Sequence, residues 1–144
     1  MRPLVGALAC LLLGSGLSAC GDPIDNYCEV IKEHRKELNE MVDAGTQFGL
    51  ITHLPMLQEL NDAAPEDLTD EWQVFLSAVK HLTEVVDDTG HPPEDFADQQ
   101  MPADLTSEEK TAITAAANRL SSQETVAASA AIDQQARDVC KVNL

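Results

Sequence analysis

Residues Ala64 to Thr89 read APEDLTDEWQVFLSAVKHLTEVVDDT, and this stretch decides the fold class. Leu68, Trp72, Phe75, Leu76, Val79, Leu82 and Val86 recur every three to four positions, with Asp70, Glu71, Lys80, Glu84 and Asp87 on the opposite side. That spacing matches the helical turn, so the segment is an amphipathic helix offering one face to a core. Ala64-Pro65 opens it and Gly90 ends it.

The same period continues on both sides. Upstream, Asp22-Pro23-Ile24-Asp25 is a helix start, with Asp22 as N-cap, Pro23 at the first helical position and Asp25 at the positive end of the dipole. Tyr27, Cys28, Ile31, Leu38, Met41 and Val42 follow at helical spacing, and Gly45 stops a first helix over about residues 23–44. Thr46 to Ala64 carries Phe48, Leu50, Ile51, Leu54, Leu57 and Leu60 around a central Pro55. A proline there makes the segment either two short helices or one kinked one. Downstream, residues 90–105 (His91-Pro92-Pro93, then Pro102) form a connection with one helical turn around Phe96. Thr106 with Glu109, and Ser121 with Glu124, have capping-box spacing ahead of two alanine-rich helices. The apolar positions there are Ile113, Ala116, Ala117 and Leu120, then Val126, Ala127, Ala130, Ala131 and Val139. The expected fold is all-α, a small helical bundle of four to five helices.

Composition narrows the function. The 144 residues hold 9 Lys and Arg against 25 Asp and Glu, a net charge of −16, with only 3% aromatic residues. That length suits one domain. Such acidity lacks the basic patch of a nucleic-acid binder, and the scattered Lys and Arg give no cluster for an anionic bilayer.

The first residues read as a targeting segment. Arg2 is a minimal basic region, Leu4 to Leu13 is an apolar run too short for a membrane span, and Gly14-Ser15-Gly16 loosens the chain before a cleavage site. Leu17-Ser18-Ala19-Cys20 resembles the bacterial lipobox. The resemblance implies a lipoprotein signal peptide over 1–19, a diacylglycerol on the Cys20 thiol, a lipidated tether at 20–22 and a single helical domain over 23–144. An ordinary secretory leader cut near Ala19, with Cys20 a free thiol, is the alternative. Loss of residues 1–19 removes one base and no acid, leaving 8 basic against 25 acidic side chains, or −17 over 125 residues.

Cys10 leaves with the leader and Cys20 is claimed by lipid, so Cys28 and Cys140 remain as a pair in an exported chain. An oxidising compartment favours a disulfide between them; metal ligation is the rival, but no histidine pair accompanies them. The bridge would join the start of the first helix to the end of the last. Five strictly alternating helices would place those ends apart. A long crossover would repair this, and residues 90–105, able to span up to about 50 Å, are the segment long enough to supply it. Helices three and four are then expected to run in the same direction, with that loop passing over the bundle.

Tyr27-Cys28, Leu54-Pro55, Ala64-Pro65, Asp70-Glu71-Trp72 and Ala136-Arg137-Asp138-Val139-Cys140 together resemble a group of short, uncharacterised exported proteins of high-GC Gram-positive bacteria. The resemblance implies the terminal disulfide and a helical fold, and it implies no activity.

Chemistry-bearing patterns are sparse. Gly14-Ser15-Gly16 lies in the leader, and the later serines sit mid-helix or at predicted caps, so no catalytic set is expected. His34, His53, His81 and His91 form no His-Glu-x-x-His, and none has a glutamate three residues before it. Asp87-Asp88-Thr89-Gly90-His91, with Glu94, Asp95 and Asp98, lacks the residue order of a calcium-binding EF-hand and reads as a solvated loop. His34, near the apolar stripe of the first helix, reads as a boundary residue bonded to a neighbour. The carboxylate pairs Glu66-Asp67, Asp70-Glu71 and Glu108-Glu109 sit at helix starts, where the dipole accounts for them. No metal, cofactor or enzymatic activity is therefore expected.

The resulting expectation is a cell-envelope protein, held by acylated Cys20 at the extracytoplasmic face of the cell membrane, with a binding or structural role. Its partners would be the membrane itself and possible envelope proteins, not nucleic acid. A carrier of a small apolar ligand in the bundle interior is the alternative. An apolar pocket beside Trp72, Phe75 and Phe48 would distinguish the carrier.

Overall fold

Asp22 caps the first described helix as expected: its Oδ1 accepts the Ile24 N–H at 2.9 Å ahead of α1 (Pro23–Glu33). The computed structural model describes residues 21–96 and 100–143; the leader and Cys20 lie outside the described residues, as does Asp98. After α1 come α2 (Arg35–Ala44), α3 (Gly49–Thr52), α4 (Leu54–Ala63), α5 (Thr69–Asp87), α6 (Ser107–Leu120) and α7 (Gln123–Asp138). Short 3-10 turns lie at Glu66–Leu68 and Pro93–Phe96. The described residues hold no strand, and none of their helices is long and apolar enough to cross a membrane.

The expected first helix is thus two, broken only at His34 (φ −88°, ψ 7°). Hydrogen bonding runs through the break, because His34 N–H donates to Val30 and Leu38 N–H to the His34 carbonyl. Gly45 ends α2 in the left-handed region (φ 61°), which a side chain would strain. The Pro55 segment is two helices, the proline sitting in the first turn of α4, where its missing N–H costs nothing. Thr106 and Glu109 form the expected capping box at α6. The second box does not form. The N-cap of α7 is Ser122, whose Oγ accepts from Thr125 N–H at 3.2 Å, so Ser121 and Glu124 do not make it.

These helices make four legs, not five: α1–α2, α3–α4, α5 and α6–α7. Trp72, near the start of α5, donates to the Tyr27 hydroxyl on α1, so those two helices begin at the same end of the molecule. Leg two returns past leg one, with His34 reaching Glu59 on α4. At the far end of α5, His91 lies 3.4 Å from Asp104, just ahead of α6. From there α6 runs back along α5 until Arg119 Nη2 donates to Ser77 Oγ at 2.9 Å. The chain then continues in α7 toward the first turns of α5, where Ala127, Ala128 and Ala131 come beside Asp70, Glu71 and Val74. Both α6 and α7 pack extensively on α5 and barely touch each other.

That arrangement corrects the expected route. Helices three and four do not run in the same direction, and residues 90–105 do not pass over the bundle. Their two ends are adjacent, and parity is restored instead at Ser121-Ser122, where the chain bends without reversing. Thr125, the one buried polar side chain among the described residues, holds this junction by donating its hydroxyl to the Arg119 carbonyl at 3.0 Å. With four legs the last ends where the first begins.

Cys28 and Cys140 accordingly form a disulfide, with Cα atoms 5.0 Å apart across 112 positions of sequence. Lys141 turns into the left-handed region (φ 57°), and Val142 N–H donates to the Ala136 carbonyl at 3.0 Å, which tucks Val142 into the core behind the bridge. The core runs continuously from Tyr27 through Leu60, Trp72, Val79 and Val86 to Phe96 and Ile113. The core contacts named here are all made within residues 21–143.

Candidate functional site: an apolar cleft between α2 and α7

The four-leg arrangement leaves one face incompletely covered. α2 packs against α1 and α3 but has no broad contact with α5 or α7. Its apolar stripe of Leu38, Met41 and Val42 therefore looks across a gap toward Phe75 on α5 and Ala130 and Ile132 on α7. Only Leu38 of that stripe is buried, while Val42 remains 54% exposed. The gap is a cleft of about 360 Å³. This lies within the range of about 300–1,000 Å³ typical of small-molecule sites.

Each wall follows from its helix. Tyr27 and Ile31, one turn apart on α1, close the lower end, and Leu57 and Leu60 on α4 form the floor. Trp72 stands between floor and opening, 2% exposed, with its Nε1 donating to the Tyr27 Oη at 3.0 Å and its ring edge-on to that of Phe75 (centroids 6.2 Å). Tyr27 is fully buried, and loss of solvation pushes its hydroxyl up to about 12, partly opposed by the Trp72 hydrogen bond. Among the described residues no buried side-chain nitrogen or oxygen lacks a partner. From α7 the polar side chains Ser129 and Asp133 reach the cleft. The Asp133 carboxylate accepts from Arg137 at 2.9 Å, one turn on.

Trp72 and Phe75 are thus brought together as the sequence suggested, but Phe48 is not. It stacks on Phe96 (centroids 5.0 Å, planes 21° apart), because the Pro93–Phe96 turn folds the connection back onto α3. Phe48 lines a separate cleft with Ile113 and Met101. Leu38, Met41 and Val42 are cleft residues that periodicity assigns to a helix without showing that α2 stands apart from α7, and Ile132 is a cleft residue that the periodic pattern does not single out.

His34 sits at the α1–α2 break with both ring nitrogens engaged, Nδ1 by Glu37 and Nε2 by Glu59, each at 2.9 Å. Bonding to Glu37 is the foremost cause of a raised pKa; burial opposes it, and the bond to Glu59 adds to the rise. The ring is a boundary residue bonded to neighbours, as expected. His91 bonds Asp95 at 3.1 Å and faces Asp104 in the acidic loop. No group of three or more His, Cys, Asp or Glu side chains among the described residues is placed to hold a metal ion.

No protein-family model, curated protein or solved structure matches this chain.

Proposed function

We propose that this is a lipid-anchored binding protein of the cell envelope, non-enzymatic, which takes an apolar group into the cleft between α2 and α7. The observation that carries this reading is the cleft itself: about 360 Å³, bounded by Tyr27, Ile31, Leu57, Leu60 and Trp72, with an exposed apolar rim. Folded proteins bury such surface when a neighbouring helix is present to cover it. Here the helix that would cover it stands off, and a ligand supplies the missing contact. The lipobox-like Leu17-Ser18-Ala19-Cys20 supports the anchor, and only Gly21 and Asp22 separate Cys20 from α1. So short a tether would hold the cleft close to the outer face of the membrane.

The binding test uses an uncharged fluorescent apolar dye, N-phenyl-1-naphthylamine, with the chain beginning at Gly21. Saturable uptake of one dye per chain, lost in Ala130→Phe, is expected. Ala130 is exposed on α7, so the larger ring blocks the cleft without entering the core. Absence of saturable binding, or full binding by Ala130→Phe, contradicts the reading. The anchor is tested by mass spectrometry of the protein from its host: the expected N-terminus is diacylglycerol-modified Cys20, and an unmodified one removes the anchor.

A further inference from the structure

Which apolar molecule the cleft suits can be argued from what lines it. Among the described residues no buried side-chain nitrogen or oxygen of its interior is without a hydrogen-bond partner, the Tyr27 oxygen accepting from Trp72 Nε1. The enclosed part of a ligand must then be hydrocarbon, because a buried polar group left without a partner is costly. Val42 and Val126 are the most exposed large apolar side chains among the described residues, at 54% and 52%. Val126 lies on the same face of α7 as Ser129 and Asp133, at helical spacing. Both valines lie toward the same end of the molecule, where Gln47 Nε2 donates to Ser121 Oγ at 2.7 Å. Val42 lines the cleft, and Val126 lies one turn before the cleft residue Ala130 on α7, so apolar side chains continue beyond the cleft along that helix, a surface suited to an extended chain.

Charge selects the head group. Among the described residues no lysine or arginine lines the cleft; its ionic group is Asp133, paired with the exposed Arg137. The whole chain carries −16, so an anionic head, or a second copy of the protein, would meet repulsion. A cationic head at Asp133 would meet attraction. Resting on the binding function proposed above, we infer that the ligand is a single-chain amphiphile with a cationic head group, its chain between α2 and α7 and its head at Asp133.

Three probes of equal chain length decide this: dodecyltrimethylammonium, dodecyl maltoside and dodecyl sulfate, each titrated below its micelle-forming concentration into the chain beginning at Gly21. Trp72 is the sole tryptophan and lies in the cleft wall, so its emission reports occupancy directly. The expected order is ammonium, then maltoside, then sulfate, with about tenfold between the extremes at low salt, as one charge contact near a protein surface can supply. The gap should narrow in about 0.5 M NaCl, where the screening length falls to a few ångströms. Asp133→Asn should weaken the ammonium probe and strengthen the sulfate, because it leaves Arg137 unopposed at the opening. Ala130→Phe, which keeps every charge, should abolish all three responses. Equal affinities, or a tighter sulfate, overturn the head-group inference while leaving an apolar cleft in place. No saturable response to any probe, or unchanged responses in Ala130→Phe, overturns the binding function and the inference together.

Discussion

Removing the Cys28–Cys140 bridge should cost this protein a large part of its stability. The bridge closes 112 positions of chain. In the chain-entropy treatment a loop of that length removes about 16 cal/mol/K from the unfolded ensemble, or about 5 kcal/mol at 25 °C. Small domains are stable by about 5–15 kcal/mol in total, so the unbridged protein should lie near the edge of folding. The effect should arise chiefly in the unfolded state. In the native state the same ends are also held by burial of both cysteines and Val142, and by the bond from Val142 N–H to Ala136. The assay is urea unfolding of the chain beginning at Gly21, followed by Trp72 emission and far-ultraviolet circular dichroism, against Cys28→Ala/Cys140→Ala. The expected result is a loss of about 4–5 kcal/mol and a steeper urea dependence, since an unbridged unfolded chain exposes more surface. A loss below about 1 kcal/mol would refute the loop-length argument.

Three further outcomes follow from particular side chains. Ser122→Ala should destabilise by about 1 kcal/mol through loss of the α7 cap, and Ser121→Ala should cost clearly less; thermal unfolding of the two variants that gives the reverse order would return the cap to Ser121. His34 gains stability from its protonated ring, so that contribution is fully present below the usual histidine pKa and is lost as pH rises through the raised folded value. The urea midpoint of His34→Gln should accordingly fall furthest below wild type in mildly acidic buffer and converge with it at alkaline pH, whereas a constant difference would remove the ionic role. Tyr27, the sole tyrosine, should ionise near 12 rather than 10 in an ultraviolet absorbance titration, with folding stability falling as pH rises from 10 toward 12; a midpoint at the ordinary value would show that the hydroxyl is not buried against Trp72.

Much of the fold was legible because the decisive signals are local. Asp22, Gly45 and the Thr106–Glu109 box mark helix ends through hydrogen bonds a few residues long, and the stripe from Leu68 to Val86 depends only on helical period. The Cys28–Cys140 pairing could be inferred because the lipobox resemblance assigns Cys10 to a leader and Cys20 to lipid, leaving these two as a pair. The direction of the chain after α6 was not legible. Ser121-Ser122 is compatible with reversal or with a bend, and the choice is made by Thr125 bonding back to Arg119 across the junction. The connection 90–105 was misjudged for a related reason: its length permits a crossover, but His91 meeting Asp104 closes it on itself. The cleft was half visible. Trp72 and Phe75 suggested an apolar lining, but Leu38, Met41 and Val42 have the spacing of any core-facing stripe. A periodic pattern shows that a face is apolar without showing whether a neighbouring helix covers it.

The central claim is that the space between α2 and α7 receives an apolar molecule. Chemical-shift mapping of backbone amides and side-chain methyls during titration with N-phenyl-1-naphthylamine tests it most directly. The account predicts saturating shifts at Leu38, Met41, Val42, Phe75 and Ile132, with Phe48, Phe96 and Ile113 unmoved. Shifts centred on Phe48 and Phe96, or none that saturate, would contradict it.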